Sequence, residues 1–325
     1  MHILIVGAGL GGLTLAQALR KRGISFEIFE RDVDETARFQ GWAIAIHTKW
    51  LLTNIPVQWG KHVVRVKHRE TGVSVTFKDG STARGDMVVG ADGVHSPVRE
   101  HILQRPSSDL LRVVPLTAIV GEVSLSGEAF RRQLELGHSA YNLINPELGF
   151  IGFVGLHHAF PDGNSGRFYW MFMQPRSDDD DDDDVSGALH WAHTSTQQEK
   201  RDHVLKATEG LAPRLREIFE LTPVEGIKDE PHVWRDMELD HLPAGRVVLL
   251  GDAAHAMTPS RGEGAFHAFL DAIKLSAIVT RLRDESEAGD DDAVEAAVAA
   301  YNAEIPCRGS RRSRFEGAEL EVKIL

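Results

Sequence analysis

Gly7-x-Gly9-x-x-Gly12 directly follows the apolar run Ile3-Leu4-Ile5-Val6, and Glu30 stands eighteen residues beyond Gly12. Glycines at this spacing let a backbone turn sharply and bring bare N–H groups close to a pyrophosphate at a helix N-terminus. Gly7, Gly9, Leu10, Gly11 and Gly12 are therefore candidate contacts to a dinucleotide. Glu30 is placed to accept a hydrogen bond from a ribose hydroxyl. These residues leave NAD and FAD both open. A second glycine–acid pair, Asp92-Gly93, follows the run Met87-Val88-Val89-Gly90. A third, Gly251-Asp252, ends an apolar stretch over 247–250 and is followed by Pro259, Gly262 and Gly264.

The elements that must position these residues follow from hydrophobic periodicity. Ile3 to Val6 is an uninterrupted β-branched-rich run, as in a central parallel strand covered on both faces. A helix follows, with Leu13, Ala16 and Leu19 on its inward face and Gly23 just past its end. Ile24, Phe26 and Ile28 then alternate as a second strand, completing a βαβ unit. Residues 55–66 and 73–77 read as further strands. In the middle of the chain, 116–125, 149–158 and 166–176 alternate or run apolar between turn residues, which predicts an antiparallel sheet. Phe153, Tyr169, Trp170 and Met171 there either face an apolar ring or belong to the core. Residues 197–219 read as one amphipathic helix. A later helix starting near Gly262 carries apolar residues at Ala265, Phe269, Ala272 and Ile273. The predicted class is α/β: a Rossmann-like domain with a parallel sheet, plus an inserted domain on a mostly antiparallel sheet. The boundaries are 1–106 with 234–283 for the first domain, 107–233 for the second, and 284–325 for a helical tail.

Composition narrows the chemistry. The chain has 325 residues and a net charge of -12, of which the aspartate run at 178–184 supplies seven negatives. That run is expected to be a solvated linker, without the fixed geometry of a cation site. Neither an acidic balance nor the short cluster Arg308, Arg311, Arg312 and Arg314 suits nucleic acid or an anionic membrane. The single cysteine, Cys307, allows no intramolecular disulfide and no cysteine-based metal site. No histidine cluster or HExxH suggests a metal, and no GxSxG suggests a hydrolase. The first residues enter a strand without a charged leader, and no apolar run is long enough to span a bilayer. A cytoplasmic protein is expected, as monomer or homodimer.

Taken together and in order, the three glycine–acid motifs resemble those of the class A flavoprotein monooxygenases, the para-hydroxybenzoate hydroxylase-like family. The resemblance rests on GAGLGG with Glu30-Arg31, on Asp92-Gly93 with Ser96 and Arg99 in register, and on Gly251-Asp252-Ala253-Ala254-His255 through Pro259, Gly262 and Gly264. It implies FAD, with its adenosine end on the first turn and Asp252 facing the ribityl and pyrophosphate. The helix after Gly262 would aim its N-terminus at the flavin, with Ala265 beside it. Arg31, Gln40 and Asp92 join the implied cofactor contacts. The implied reaction uses NADPH or NADH and O₂, forming an FAD hydroperoxide that transfers oxygen to an aromatic or polycyclic small molecule. Hydroxylation, epoxidation and Baeyer–Villiger insertion share this machinery. His157, with its neighbour His158, is a candidate base for a phenol near neutral pH, and Tyr169 is the other catalytic candidate. His255 is expected to pack near the cofactor.

Three departures bear on that reading. Phe266 stands where many relatives carry Asn. Fifty or more residues of the family pattern, including an Arg that meets the flavin phosphates, have no counterpart between Trp50 and Leu51. Intact strands beyond that junction favour a protein that retains the span; the alternative is a shortened relative. A reductase or halogenase of the same fold would share all three motifs, although the halogenase element Trp-x-Trp-x-Ile-Pro is absent. A non-catalytic FAD-binding relative is the remaining alternative.

Overall fold

The computed structural model describes residues 1–37, 48–69, 71–175, 191–229, 233–237, 239, 241–258 and 262–305. The chain forms two compact units, Met1–Arg112 with the described part of Arg235–Arg314, and Val113–Trp234. Gln40, Pro259, the aspartate run and the late arginine cluster lie outside the described residues. No helix among the described residues is long and apolar enough to cross a membrane.

In the first unit, five strands form a wholly parallel sheet in the order Val247–Leu249, Met87–Gly90, His2–Val6, Ser25–Phe29 and Val57–Gln58. Ile3, Leu4, Ile5, Met87, Val88 and Val89 are fully buried, as central parallel strands require. The helix Leu10–Lys21 buries Leu13, Leu15, Ala16 and Leu19 and packs on the long helix Gly264–Asp284. The long helix buries Ala268, Ala272, Leu275 and Val279, whereas the apolar Ile273 is 52% exposed. Of the four apolar positions read from the sequence, Ala272 is buried and Ala265 and Phe269 are half-buried. The predicted strand over 55–66 is two strands, because Gly60 turns at φ +71° between them. Val63–His68 leaves the parallel sheet for an antiparallel one with Val73–Phe77 and Thr82–Gly85.

Trp50 and Leu51 are consecutive, and the helix Thr48–Leu52 runs through both. The retained span favoured from the sequence is therefore absent. The junction closes locally: the Gln17 amide donates to the Leu51 carbonyl at 2.7 Å and the Thr53 carbonyl at 2.9 Å. Two carbonyls at the end of that short helix gain a donor in this way. The chain then enters Val57–Gln58, which pairs with Ser25–Phe29.

The second unit is an antiparallel sheet ordered Ala140–Asn145, Phe150–Ala159, Ser165–Pro175 and Leu116–Ser126. Side chains alternate along a strand, so Phe168, Trp170 and Phe172 share one face and Tyr169 and Met171 the other. The first set packs with Ile119, Val123, Ile218 and Phe219 into a core. Trp170 is thus a core residue: its indole N–H donates to Thr222 Oγ1 at 2.8 Å and its ring meets Phe219 edge-on at 5.0 Å. Phe153 lies opposite Met171, and Tyr169 is flanked by Gly155 and Glu122. The predicted helix over 197–219 is two helices, Gln197–Ala207 and Pro213–Leu221. Pro213 cannot continue a helix but suits a first turn, so it starts the second.

Candidate functional site

Parallel pairing places the C-terminal ends of the first unit's long strands along one edge of the sheet. Gly7 follows His2–Val6, Glu30 follows Ser25–Phe29, Asp92 lies just past Met87–Gly90, and Gly251 just past Val247–Leu249. Three segments far apart in sequence therefore meet. The Ala91 N–H donates to the Val6 carbonyl at 2.7 Å, and the Leu250 N–H to the Gly90 carbonyl at 3.0 Å. Gly7, at φ +103°, lies so close to Ala91 that a Cβ would be driven into its carbonyl. A Cβ on Gly12 would strike the Gly7 carbonyl, and one on Gly11 would strike Leu250. Gly9 is different: it is the N-cap of Leu10–Lys21, with no side-chain cap and nothing within 4 Å of the place a Cβ would take. The bare amides of that first turn and the space over Gly9 form a cradle for an anion.

Glu30 closes one end of the cradle. It is buried, with Oε2 accepting from the Ala8 N–H at 2.8 Å and Oε1 from the Asp32 N–H at 3.1 Å. The carboxylate is thereby aimed and keeps acceptor capacity for a hydroxyl. Leu10 begins the helix and is half-buried; Arg31 is exposed.

At Asp92, Ser96 caps the helix Pro97–Leu103 by accepting from the Arg99 N–H at 2.9 Å. The Asp92 residue is half-buried, but its Oδ1 is sealed from solvent and has no partner among the described residues. Burial pushes its carboxyl up to about 6, against the opposing hydrogen bonds from Ser96 and Val98 and the charge of Arg99. Arg99 is fully buried and donates to Val94, to Ser107 Oγ at 2.7 Å, and to the Ala253 carbonyl at 3.2 Å. The Asp-Gly stretch is in this way tied to the Gly-Asp turn.

Gly251 adopts φ +59°, which favours glycine, and starts the short helix Asp252–His255. Asp252 is exposed as a residue, but desolvation of its carboxyl raises it, and His255 opposes the rise. Gly264 and Ala265 begin the long helix, and its N-cap residue Glu263 makes no side-chain cap to their amides. Gly262 sits at φ +65° just before it. Phe266 is exposed on that first turn. All the described cofactor candidates belong to the first unit.

The catalytic candidates belong to the second. Tyr169 and His157 meet edge-on at 6.2 Å, and Tyr169 tilts against Phe153 at 5.6 Å. His157 Nδ1 is 3.7 Å from Glu122 Oε1, while Lys228 donates to Glu122 Oε2 at 2.7 Å. Burial pushes the Tyr169 phenol well above its usual range, so at neutral pH it is a hydrogen-bond donor and not a base. Glu122, Lys228 and Asp271 were not among the sequence candidates. Asp271 did leave a signal, being a carboxylate on the apolar stripe Ala268, Ala272 and Leu275.

Comparison with known proteins agrees with this geometry. An FAD binding domain model matches residues 49–291, and an NAD(P)-binding Rossmann-like domain model matches residues 5–64. The chain is 46% identical to the FAD-dependent monooxygenase thnD of Trichoderma harzianum, over 99% of this chain and 95% of that one. That alignment spans 390 positions against a chain of 325, leaving at least 65 positions in the relative without a counterpart here. Salicylate hydroxylase of Pseudomonas putida is 30% identical over 70% of this chain and 52% of its own. The fold matches the crystal structure of an FAD-containing monooxygenase from Photorhabdus luminescens at a TM-score of 0.72 and 23% identity, covering 94% and 96% of the two chains.

Proposed function

The chain belongs to the FAD-binding monooxygenase family, and from that premise we propose that it is a cytoplasmic enzyme, monomeric or homodimeric, that oxygenates an aromatic or polycyclic small molecule with NADPH or NADH and O₂. Held by the glycine turns at Gly9 and Gly251, FAD would supply the redox chemistry of hydride uptake and oxygen transfer. The observation that carries this reading is the meeting of the three glycine–acid segments at one sheet edge.

The residues have distinct tasks. Amides of Gly9 to Gly12 receive the pyrophosphate, and Glu30 accepts from the adenosine ribose. Asp252 faces the ribityl chain, and Gly262, Gly264 and Ala265 present bare amides that favour negative charge on the reduced ring. In the second unit, Phe153 and Met171 offer an apolar surface for a substrate ring, with Tyr169 as donor and His157 as acceptor toward a polar substituent. The shortened span after the first βαβ unit removes the family's Arg contact to the phosphates. Backbone amides therefore carry more of the anion binding here.

The test is turnover of a phenolic panel by FAD-loaded protein under ¹⁸O₂. The expected result is NAD(P)H oxidation that depends on oxygen, with a product carrying one ¹⁸O atom. Anaerobic reduction of an organic acceptor without oxygenated product would make it a reductase instead. Protein that takes up no FAD would overturn the cofactor assignment.

A further inference from the structure

The long helix Gly264–Asp284 turns one carboxylate into a mostly apolar buried face that also holds His267 and Ser276. Asp271 is 3% exposed, beside Ala268, Ala272 and Leu275. An unpaired charge in such a place is strongly destabilising, so its partners explain its presence. Asp271 Oδ2 accepts from the Gly251 N–H at 3.0 Å and lies 2.6 Å from His255 Nε2. The two bonds grip both ends of the turn that carries Asp252. His255 Nδ1 is buried with no hydrogen-bond partner among the described residues. A carboxylate only accepts, so the hydrogen of this bond is on His255 Nε2, which donates to Asp271. From the other side, Arg99 donates to the Ala253 carbonyl. A turn whose first residue uses glycine's positive φ is thus fixed by Asp271 and Arg99, and Asp252 is left exposed on it.

We propose that Asp271 is a positioning residue for the cofactor: without touching FAD, it holds Asp252 in place through Gly251 and His255. The proposal rests on the reading of the Gly251–His255 turn as part of the FAD site. A stiff turn matters because an acceptor already held in place loses little entropy when the ligand arrives.

The experiment is a double-mutant cycle on FAD affinity, read by quenching of flavin fluorescence on titration into apo-protein. Asp271→Asn keeps the side-chain shape but removes the charge, and is expected to raise the Kd for FAD at least tenfold. Asp252→Asn removes the acceptor itself. If Asp271 acts through Asp252, the double variant binds FAD no more weakly than Asp252→Asn alone. A simple loss of fold would instead add to the effect of Asp252→Asn, and additive losses overturn the proposal. Unchanged affinity in Asp271→Asn overturns it as well. Should that variant fail to fold, His255→Leu removes one grip, leaves the Gly251 bond, and serves in the same cycle with the same outcomes. Wild-type protein that binds no FAD would defeat the cofactor reading, which these outcomes otherwise leave standing.

Discussion

At residues 7–12 the backbone is shaped by the absence of side chains, whereas at 251–255 it is shaped by side chains arriving from far along the sequence. Gly7 and Gly12 hold their turn because nothing larger fits against Ala91 and the Gly7 carbonyl. Gly251 needs glycine for its φ, but its turn is anchored by Asp271, twenty residues on, and by Arg99, from the other glycine–acid stretch. A steric turn resists any addition and tolerates no partial loss. An electrostatic turn loosens by degrees, as each partner is neutralised.

The largest effect that tests this contrast is Gly12→Ala. Alanine in an exposed helix is normally better than glycine by about 1 kcal/mol. Here its Cβ would collide with the Gly7 carbonyl and lie 3.3 Å from the Ala91 Cβ. We expect a net loss of more than ~3 kcal/mol, read by urea unfolding of the apo-protein. A variant as stable as the parent would show that the turn is soft, and would erase the distinction between the two.

Next in size is the charge trapped beside the second turn. The Asp92 carboxyl is raised to about 6 from an ordinary 3.8 by burial. The folded state therefore holds a proton that the unfolded chain has already released. Stability from this group is full below pH 4 and lost as the pH rises through 6, by about 3 kcal/mol in all. Asp92→Asn carries no such proton. The stability difference between variant and parent, measured by urea titration at pH 4 and pH 7, is expected to shift by about 2 kcal/mol in favour of the variant at pH 7, since part of the total is already lost at pH 4. A difference independent of pH would mean that the carboxylate is better solvated than its sealed Oδ1 implies.

Which of these features the sequence discloses follows from the same contrast. Steric demands leave local marks, so the βαβ unit, the three glycine–acid segments and Glu30 are all legible in their own few residues. Alternation likewise marks the strands of the second unit, but it does not say which face is solvent-side or core, and Trp170 went to the core. The break at Gly210 to Pro213 was written in the chain and outweighed by apolar spacing on either side. Arg99 is marked by its place in the Asp92-Gly93 motif and Asp271 only as a charge inside an apolar stripe; their partners lie at Gly251, His255 and Ala253, and nothing local names those. The junction at Trp50–Leu51 is the reverse case. The lost span shows in the sequence only against a family pattern, while its repair by Gln17 is visible only in the fold.

The smallest expected change in the fold comes from Gly9→Ala, and it separates shape from binding most cleanly. Gly9 has φ -75° and ψ -174°, ordinary values for alanine, and an added Cβ meets nothing within 4 Å. The apo-protein should therefore keep its melting temperature to within about 2 °C. The open space is nevertheless where the pyrophosphate must approach the bare amides of Leu10–Lys21. One methyl group there would hold the anion off by more than a hydrogen bond can stretch. A rise in the FAD Kd of about 10- to 100-fold is expected, equivalent to ~1.4–2.7 kcal/mol. Of the glycines in the first turn, Gly9 alone then leaves room for the ligand and not for the protein's own packing, while Gly7, Gly11 and Gly12 serve the protein. Unchanged FAD affinity in Gly9→Ala, with the fold intact, would move the phosphates away from this turn and leave its glycines with packing as their only task.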